Sequence, residues 1–135
     1  MKKETKLALL KLNDASDRLK EGLLAADDEL GRDGVIQRFE FTFEMFWKSL
    51  KLYLADEGVI CKTPRECLKS AFRIGVFEDE AVFLDMLEDR NKTAHIYSRE
   101  ESESIFERIK TRYHSQIEVA LKNIKNKMSN EFWDA

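Results

Sequence analysis

The residues with the clearest chemical potential lie in one short segment, residues 87–98, which contains Arg90, His95 and Tyr97. Arginine presents a planar, permanently charged set of donors that matches the oxygens of a phosphate group. Histidine takes or gives a proton near neutral pH. RNA carries its own nucleophile, the 2′-hydroxyl, so cleavage of its backbone needs a base, an acid and charge stabilisation but no metal. These residue types therefore suit phosphodiester chemistry.

Whether these side chains meet depends on where the helix that carries Arg90 ends. In a continuous helix His95 would point well away from Arg90. If the helix ends near residue 94 or 95, the imidazole can turn back towards the guanidinium, and an extended link would put His95 and Tyr97 on one side. The alternative is structural: Arg90 pairs with the acidic residues just before it, and His95 only closes the helix end. Those acidic residues are Asp85, Glu88 and Asp89.

The elements that position this segment are predicted to be helices, because the chain has one proline and only five glycines to make turns. A first helix is expected over about residues 5–26, with leucines at helical spacing. Gly31 is expected to break the chain before a second helix over about residues 33–57, which Gly58 ends.

Capping signals predict the remaining helices. Thr63 followed by Pro64 and Glu66 predicts the start of a short helix that ends near Gly75. A fourth helix is expected from about residue 78, and a second capping box at residues 98–101 opens the last helix. Apolar residues form a clean stripe along that last helix. They are Ile105, Ile109, Tyr113, Ile117, Leu121, Ile124 and Met128.

The second helix is unusually apolar and aromatic, so we expect it to be central or to face a partner chain. Four residues of this helix are expected to lie largely outside its wide apolar face: Phe41, Met45, Leu52 and Tyr53. An aromatic cluster within that face fits a core or dimer interface better than a platform for stacking bases. The cluster consists of Phe39, Phe43, Phe46 and Trp47.

The size and charge of the chain limit what it can be. Its 135 residues predict a single domain over residues 1–128, with residues 129–135 as a frayed tail. The formal net charge of −3 means that any contact with nucleic acid must come from a local patch. No apolar run is long enough to span a membrane, and the N-terminus does not resemble a signal peptide. Cys61 and Cys67 are expected to be free thiols in a reducing cytoplasm.

Basic residues on the short third helix are a weaker candidate site. Arg65, Lys69 and Arg73 recur at helical spacing, and this stripe either guides an RNA backbone or is simply a solvated face. No arrangement of cysteines and other residues has metal-ligand spacing, so no metal site is expected. His114, beside Tyr113 on the last helix, is expected at the surface.

Two carboxylates on the second helix are candidates to support Arg90. Glu40 and Glu44 lie one turn apart, and one of them is expected to reach across to the arginine and orient it. A carboxylate paired in the core is the alternative, since carboxylates are rarely buried without a partner.

The segment RNKTAHIY resembles the R-x-x-x-x-H-x-Y motif of HEPN-domain proteins, in the branch that pairs with minimal nucleotidyltransferases (HepT-like toxins). Three longer stretches, RDGVIQRFEFTFEMFWKSLKLYL, TPRECLKSAFRIGVF and FLDMLEDRNKTAH, continue the resemblance from about residue 32 to residue 113. It implies an all-α fold, a four- to five-helix up-and-down bundle. Proteins of this branch are also described as nucleotidyltransferase substrate-binding subunits.

The resemblance implies a homodimer in which two arginine–histidine pairs face a shared cleft, and a metal-independent ribonuclease toxin without a cofactor. Arg90 would bind the scissile phosphate, His95 would be the general base or acid, and Asn91 would support the cleft. A separate nucleotidyltransferase chain would neutralise the toxin by transferring AMP to Tyr97, which adds bulk and negative charge where RNA phosphate must lie. The alternative is a non-catalytic substrate-binding subunit, and a helical interaction protein without a small-molecule site is a third possibility.

Overall fold

A computed structural model describes residues 2–95 and 98–128, and all the regular elements within these ranges are helical. This confirms the predicted all-α helical bundle. None of the helices in these two ranges combines the length and the apolar character that crossing a membrane requires. The predicted frayed tail, residues 129–135, lies outside the described residues.

The α-helices are α1 (Lys2–Ala25), α2 (Glu29–Asp56), α3 (Pro64–Arg73), α4 (Glu80–Thr93), α5 (Arg99–Arg108) and α6 (His114–Lys127), and a π-turn (Ile109–Tyr113) joins α5 to α6.

Side-chain caps set the starts of four helices. The hydroxyls of Thr63 and Ser98 accept hydrogen bonds from the backbone N–H groups three residues on, at 3.2 and 3.1 Å, as the capping signals predict. Asp79 caps α4 in the same way. The predicted break at Gly31 is wrong: Asp28 accepts a bond from the Gly31 N–H at 2.7 Å, so α2 already begins at Glu29.

The core is built around α2, which packs along α1 and contacts α3, α4 and α5. Phe39, Phe43 and Phe46 are fully buried, and the ring of Phe46 stacks on that of Phe83 from α4. The expectation that Tyr53 lies outside the buried face is wrong, since only 3% of it is exposed. More than one side of α2 is covered because three further helices surround it. The aromatic helix is therefore central to the bundle, as one of the two predictions for it proposed.

The last helix is not continuous, because five residues adopt a π-turn. Its buried stripe is spaced four residues apart from Ile105 to Leu121. In a regular α-helix, residues four apart point in directions that differ by about 40°, because successive residues are about 100° apart. The π-turn is wider, so it rotates the chain less at each residue and offsets part of this change in direction. The buried stripe therefore stays against the core, and its four-residue spacing is the sequence signal for the π-turn.

The two cysteines form a disulfide bond, so the prediction of free thiols is wrong. The sequence between them contains the cap and first turn of α3, which turns Cys67 back towards Cys61 at a Cα–Cα distance of 5.2 Å. Both residues are buried, with 2% and 0% exposed. The bond fixes the corner between α2 and α3.

Candidate functional site

Arg90 lies in the last turn of α4, which ends at Thr93. The Thr93 hydroxyl donates a hydrogen bond of 2.7 Å to the Arg90 carbonyl, and the His95 N–H donates to the Lys92 carbonyl at 3.1 Å. His95 is exposed and follows the helix end, so its imidazole is not held on the path of a continuing helix. The condition for His95 to turn back towards Arg90 is therefore met. Tyr97 lies outside the described residues.

The Arg90 side chain is 29% exposed, and its Nη2 atom lies 3.6 Å from Oε2 of Glu44 on α2. Its Nε atom is buried and has no hydrogen-bond partner in the described part of the chain. The structural alternative, in which Arg90 pairs with the acids on its own helix, is wrong about the partner. Asp85 and Asp89 pair instead with Arg112 and Arg108.

Glu44 accepts one hydrogen bond and forms two ion pairs at the site. The Trp47 indole N–H donates to its Oε2 at 3.2 Å, and the Lys48 ammonium lies 3.3 Å from its Oε1. Together with Arg90 these groups anchor the carboxylate between α2 and α4. Glu40, one turn earlier, is half-buried, and its side chain makes no hydrogen bond or ion pair within residues 2–95 and 98–128. Of the two carboxylates, Glu44 is the one that contacts Arg90.

A buried network lies beside Arg90 around Asp89, which is 3% exposed. Arg108 donates two hydrogen bonds to its carboxylate, at 2.7 and 2.9 Å, and the Tyr113 hydroxyl donates a third at 2.5 Å. The i→i+5 pattern of the π-turn brings residues five apart onto one side, so that Arg108 and Tyr113 reach the same carboxylate. The pairing of Asp89 was missed in the sequence because its partners come from a helix joined to α4 by a loop.

The network raises the pKa of two of its members, Arg108 and Tyr113. Hydrogen bonding to Asp89 raises the pKa of the Arg108 guanidinium above its usual range. Burial, followed by the hydrogen bond to Asp89, raises the pKa of the Tyr113 phenol. Both side chains therefore keep their protons, and the carboxylate keeps its donors. Because Asp89 is the residue before Arg90, this network fixes the last turn of α4.

His114 is buried, so the prediction that it lies at the surface is wrong. Its Nε2 atom lies 3.1 Å from the Ser16 carbonyl oxygen and 3.4 Å from the Ser16 hydroxyl oxygen, while its Nδ1 atom lies 3.4 Å from Glu118. A carbonyl can only accept, so Nε2 is the donor in this contact. This histidine joins α6 to α1 and is separate from the motif.

The other candidate residues are not drawn into the Arg90 site. The Asn91 side chain is exposed and makes no hydrogen bond to any residue that the structure describes. The cations of α3, Arg65, Lys69 and Arg73, share no hydrogen bond or ion pair with Arg90, although α3 contacts α4. Within the same described ranges, no three histidine, cysteine or acidic side chains cluster closely enough to hold a metal ion.

Comparison with known proteins gives three findings. A family described as nucleotidyltransferase substrate binding protein like matches residues 3–126. A curated relative, the probable ribonuclease HepT of Haemophilus influenzae, is 27% identical over 81 residues, and the match covers 56% of this chain and 56% of the relative. This chain therefore spans little more than half of the length of that relative. A crystal structure of a Thermus thermophilus protein has 34% identity and a TM-score of 0.79, covering 84% of this chain and 98% of the other.

Proposed function

This chain belongs to the nucleotidyltransferase substrate-binding protein-like family, and we propose that it is a ribonuclease toxin of a toxin–antitoxin pair. It cleaves RNA without a metal, using Arg90 and His95, and acts as a cytoplasmic homodimer. A partner minimal nucleotidyltransferase, encoded as a separate chain, neutralises it by transferring AMP to Tyr97. The similarity to the probable ribonuclease HepT supports this proposal.

The observation that carries the proposal is the arrangement of Arg90 and His95 at the end of α4. The guanidinium is held at one end by Glu44 and is partly exposed, so its exposed N–H groups are available to phosphate oxygens. His95 follows within the first residues after the helix and is exposed. A strongly basic anchor and a group that transfers protons near neutral pH thus lie on the same helix end.

The proposed reaction uses groups that the RNA supplies itself. The unprotonated imidazole of His95 removes the proton of a 2′-hydroxyl. The oxygen of that hydroxyl attacks the neighbouring phosphorus, and the bond from phosphorus to the 5′-oxygen breaks. The leaving 5′-oxygen takes up a proton, and the other product is a 2′,3′-cyclic phosphate. Arg90 binds the non-bridging oxygens, where negative charge accumulates in the transition state. In the homodimer, two such pairs would face a shared cleft, with Asn91 supporting each.

AMP transfer to Tyr97 is the proposed means of control. Tyr97 is two residues from His95, so a modified tyrosine would place an adenylyl group beside the arginine–histidine pair. The group brings bulk and a phosphate charge that competes with RNA for Arg90. This explains how a modification on one side chain would stop cleavage without unfolding the protein.

A second candidate function is a non-catalytic subunit that presents a substrate to the nucleotidyltransferase, and the description of the matched family favours it. In that case Arg90 and His95 would bind a ligand phosphate without breaking a bond. Substitution separates the two functions, because a base that moves protons is essential to cleavage and less important for affinity. A binding subunit should keep most of its partner affinity in the His95→Ala variant.

The test is growth and total RNA after induced expression of the wild type, Arg90→Ala and His95→Ala. Arg112→Ala is the matched control, since this arginine is also partly exposed and pairs with Asp85, not with Glu44. Growth arrest with RNA fragmentation, relieved by the first two substitutions and not by the control, supports the ribonuclease. Normal growth with intact RNA in cells that contain folded wild-type protein would reject it in favour of the binding subunit.

A further inference from the structure

An open groove runs between the exposed sides of α1 and α2. Two cavities lie along it, of about 520 and 300 Å³. The larger lies around Phe41, and the smaller lies around Met45, one turn further along α2. The residues of α2 that line the two cavities extend from Gly34 to Ser49, a length of roughly 22 Å at 1.5 Å per residue. We call this surface the α1–α2 groove and define it by Lys11, Arg18, Arg38, Phe41, Met45 and Lys48.

The groove is basic although the chain as a whole is acidic. Four of its six defining residues are cations, whereas Glu4 is the only carboxylate among the described residues that line either cavity. Within residues 2–95 and 98–128, no carboxylate lies within ion-pair distance of Lys11, Arg18 or Arg38. With a net charge of −3 for the chain, the groove is the kind of local positive patch that binding a polyanion requires.

One arginine of the groove is already held in place. Arg38 donates from Nη1 to the Arg18 carbonyl oxygen at 2.5 Å, and its side chain lies across Gly22, where a Cβ would meet it at 3.3 Å. This fixes the guanidinium at one end of the groove and leaves its other N–H groups for a ligand. Ordering an arginine before binding lowers the entropy that binding would otherwise cost.

An aromatic ring lies among these cations. Phe41 is 56% exposed, in contrast to the buried Phe39 and Phe43 on either side of it in the sequence. Exposed aromatic rings within basic grooves are the feature on which bases of single-stranded nucleic acid stack. A second copy docked symmetrically on the same face would set these cations against their counterparts, which is unfavourable.

The groove is joined to the Arg90 site through a shared carboxylate. Lys48 lines the smaller cavity and lies 3.3 Å from Glu44 Oε1, while Arg90 lies 3.6 Å from Oε2 of the same residue. One end of the groove is therefore adjacent to the proposed cleavage site. A groove of roughly 22 Å accommodates a few nucleotides, near the lower end of the site sizes of single-strand binding modules.

We propose that the α1–α2 groove binds single-stranded RNA and leads it to Arg90, with phosphates along the cations and a base stacked on Phe41. This rests on the proposed ribonuclease function. It also places RNA binding in the groove and not on the basic stripe of α3.

The test measures binding of a fluorescein-labelled 12-nucleotide single-stranded RNA to His95→Ala protein, which lacks the proposed proton-transfer group, over a range of salt concentrations. The groove variant adds Lys11→Ala, Arg18→Ala and Arg38→Ala, and the matched control adds Arg65→Ala, Lys69→Ala and Arg73→Ala. We expect the groove variant to bind the RNA at least tenfold more weakly at low salt. Its slope of log Kd against log salt should be lower than that of the parent protein by about 2, while the slope of the control should be unchanged. If the groove variant does not fold, Lys11→Gln with Arg18→Gln leaves Arg38 in place and should lower the slope by about 1.4.

The stacking half of the proposal is tested separately with Phe41→Ala, for which Phe72→Ala on α3 is the control, since that ring is also exposed. We expect Phe41→Ala to weaken RNA binding about 5- to 100-fold. Unchanged affinity and salt slope in the groove variant, or the loss of both in the α3 control, would overturn the proposal.

Cleavage by protein with an intact His95 distinguishes failure of this inference from failure of the proposed function. If the groove is the RNA path, the three groove substitutions made in protein that keeps His95 raise KM and leave kcat unchanged. Cleavage with wild-type KM in that variant would reject the groove and keep the ribonuclease. RNA binding that depends on the groove, in a chain that never cleaves RNA, would keep the groove and reject the ribonuclease.

Discussion

Arg90 on α4 and Glu44 on α2 are 3.6 Å apart, and this pair connects the last turn before the motif histidine to the central helix of the bundle. Glu44 is itself held by the Trp47 indole N–H and the Lys48 ammonium. The guanidinium therefore has a defined direction before any substrate arrives. A preorganised cation is more effective than a mobile one, because its ordering entropy has been lost before the reaction begins.

Glu44→Gln should lower RNA cleavage about tenfold, because the amide keeps the shape of the side chain but not the charge that orients Arg90. The measurement is single-turnover cleavage by purified protein. Glu40→Gln is the control, since Glu40 has no hydrogen bond or ion pair in the described ranges. Because both groups of the pair are partly exposed, melting temperatures should stay close to that of the wild type. Equal cleavage by the two variants would contradict a positioning role for Glu44.

Stability should fall as the pH rises above 10, because burial and the bond to Asp89 raise the pKa of Tyr113 above its ordinary value of 10.0. Above this value the folded protein retains a proton that the unfolded chain releases, so alkali favours unfolding. Tyr53 acts in the same direction, since burial also raises its pKa. Urea unfolding at pH 9 and pH 11 should show a smaller loss of stability in Tyr113→Phe than in the wild type. An identical loss would show that Tyr113 does not contribute.

Reduction of the Cys61–Cys67 bond should lower the free energy of unfolding by about 2 kcal/mol, the loop-entropy value for a short loop. The measurement is thermal unfolding with and without dithiothreitol. Cys61→Ser with Cys67→Ser should reproduce the loss and make the protein insensitive to the reductant. Since the chain has only two cysteines, unreduced protein should release no thiol to Ellman's reagent after denaturation. Two reactive thiols would mean that the bond does not form.

His114→Ala should destabilise the fold by about 2 kcal/mol, because it leaves the Ser16 carbonyl without this donor and opens a gap between α1 and α6. His95→Ala is the matched control, since His95 is exposed and makes no side-chain hydrogen bond in the described ranges. Urea denaturation compares the two directly. A large loss of stability in His95→Ala would also undermine its use as a purely catalytic variant.

Features that depend on neighbouring residues could be predicted from the sequence. The caps at Thr63 and Ser98 and the stop at Gly58 each rest on groups within a few positions, and Gly58 has the positive φ, 82°, that its role requires. The sequence offers Glu40 and Glu44 as candidates to reach Arg90, and the structure places Glu44, not Glu40, 3.6 Å from it. Of the two carboxylates, only the packing of α2 against α4 selected Glu44.

Features that depend on distant contacts could not be predicted in this way. His114 was expected at the surface because its own helix gives no sign of the Ser16 carbonyl, which lies 98 positions earlier. The cysteines were expected to be free because their number and spacing do not reveal that a helix start turns one towards the other. Gly31 illustrates the opposite error: a residue typical of breaks lies inside α2, because Asp28 supplies the cap.

The π-turn has a consequence for aligning this chain with other proteins of its kind. The wider turn contains one extra residue, which rotates every later residue of the helix by about 100° about its axis. If α5 and α6 are treated as one regular helix, their buried residues therefore appear to lie on unrelated faces. A relative with an unbroken last helix would match α5 without a gap and then require a one-residue shift before His114. Positions after residue 113 should therefore be matched by the side chains they bury, and not by their distance from the motif histidine.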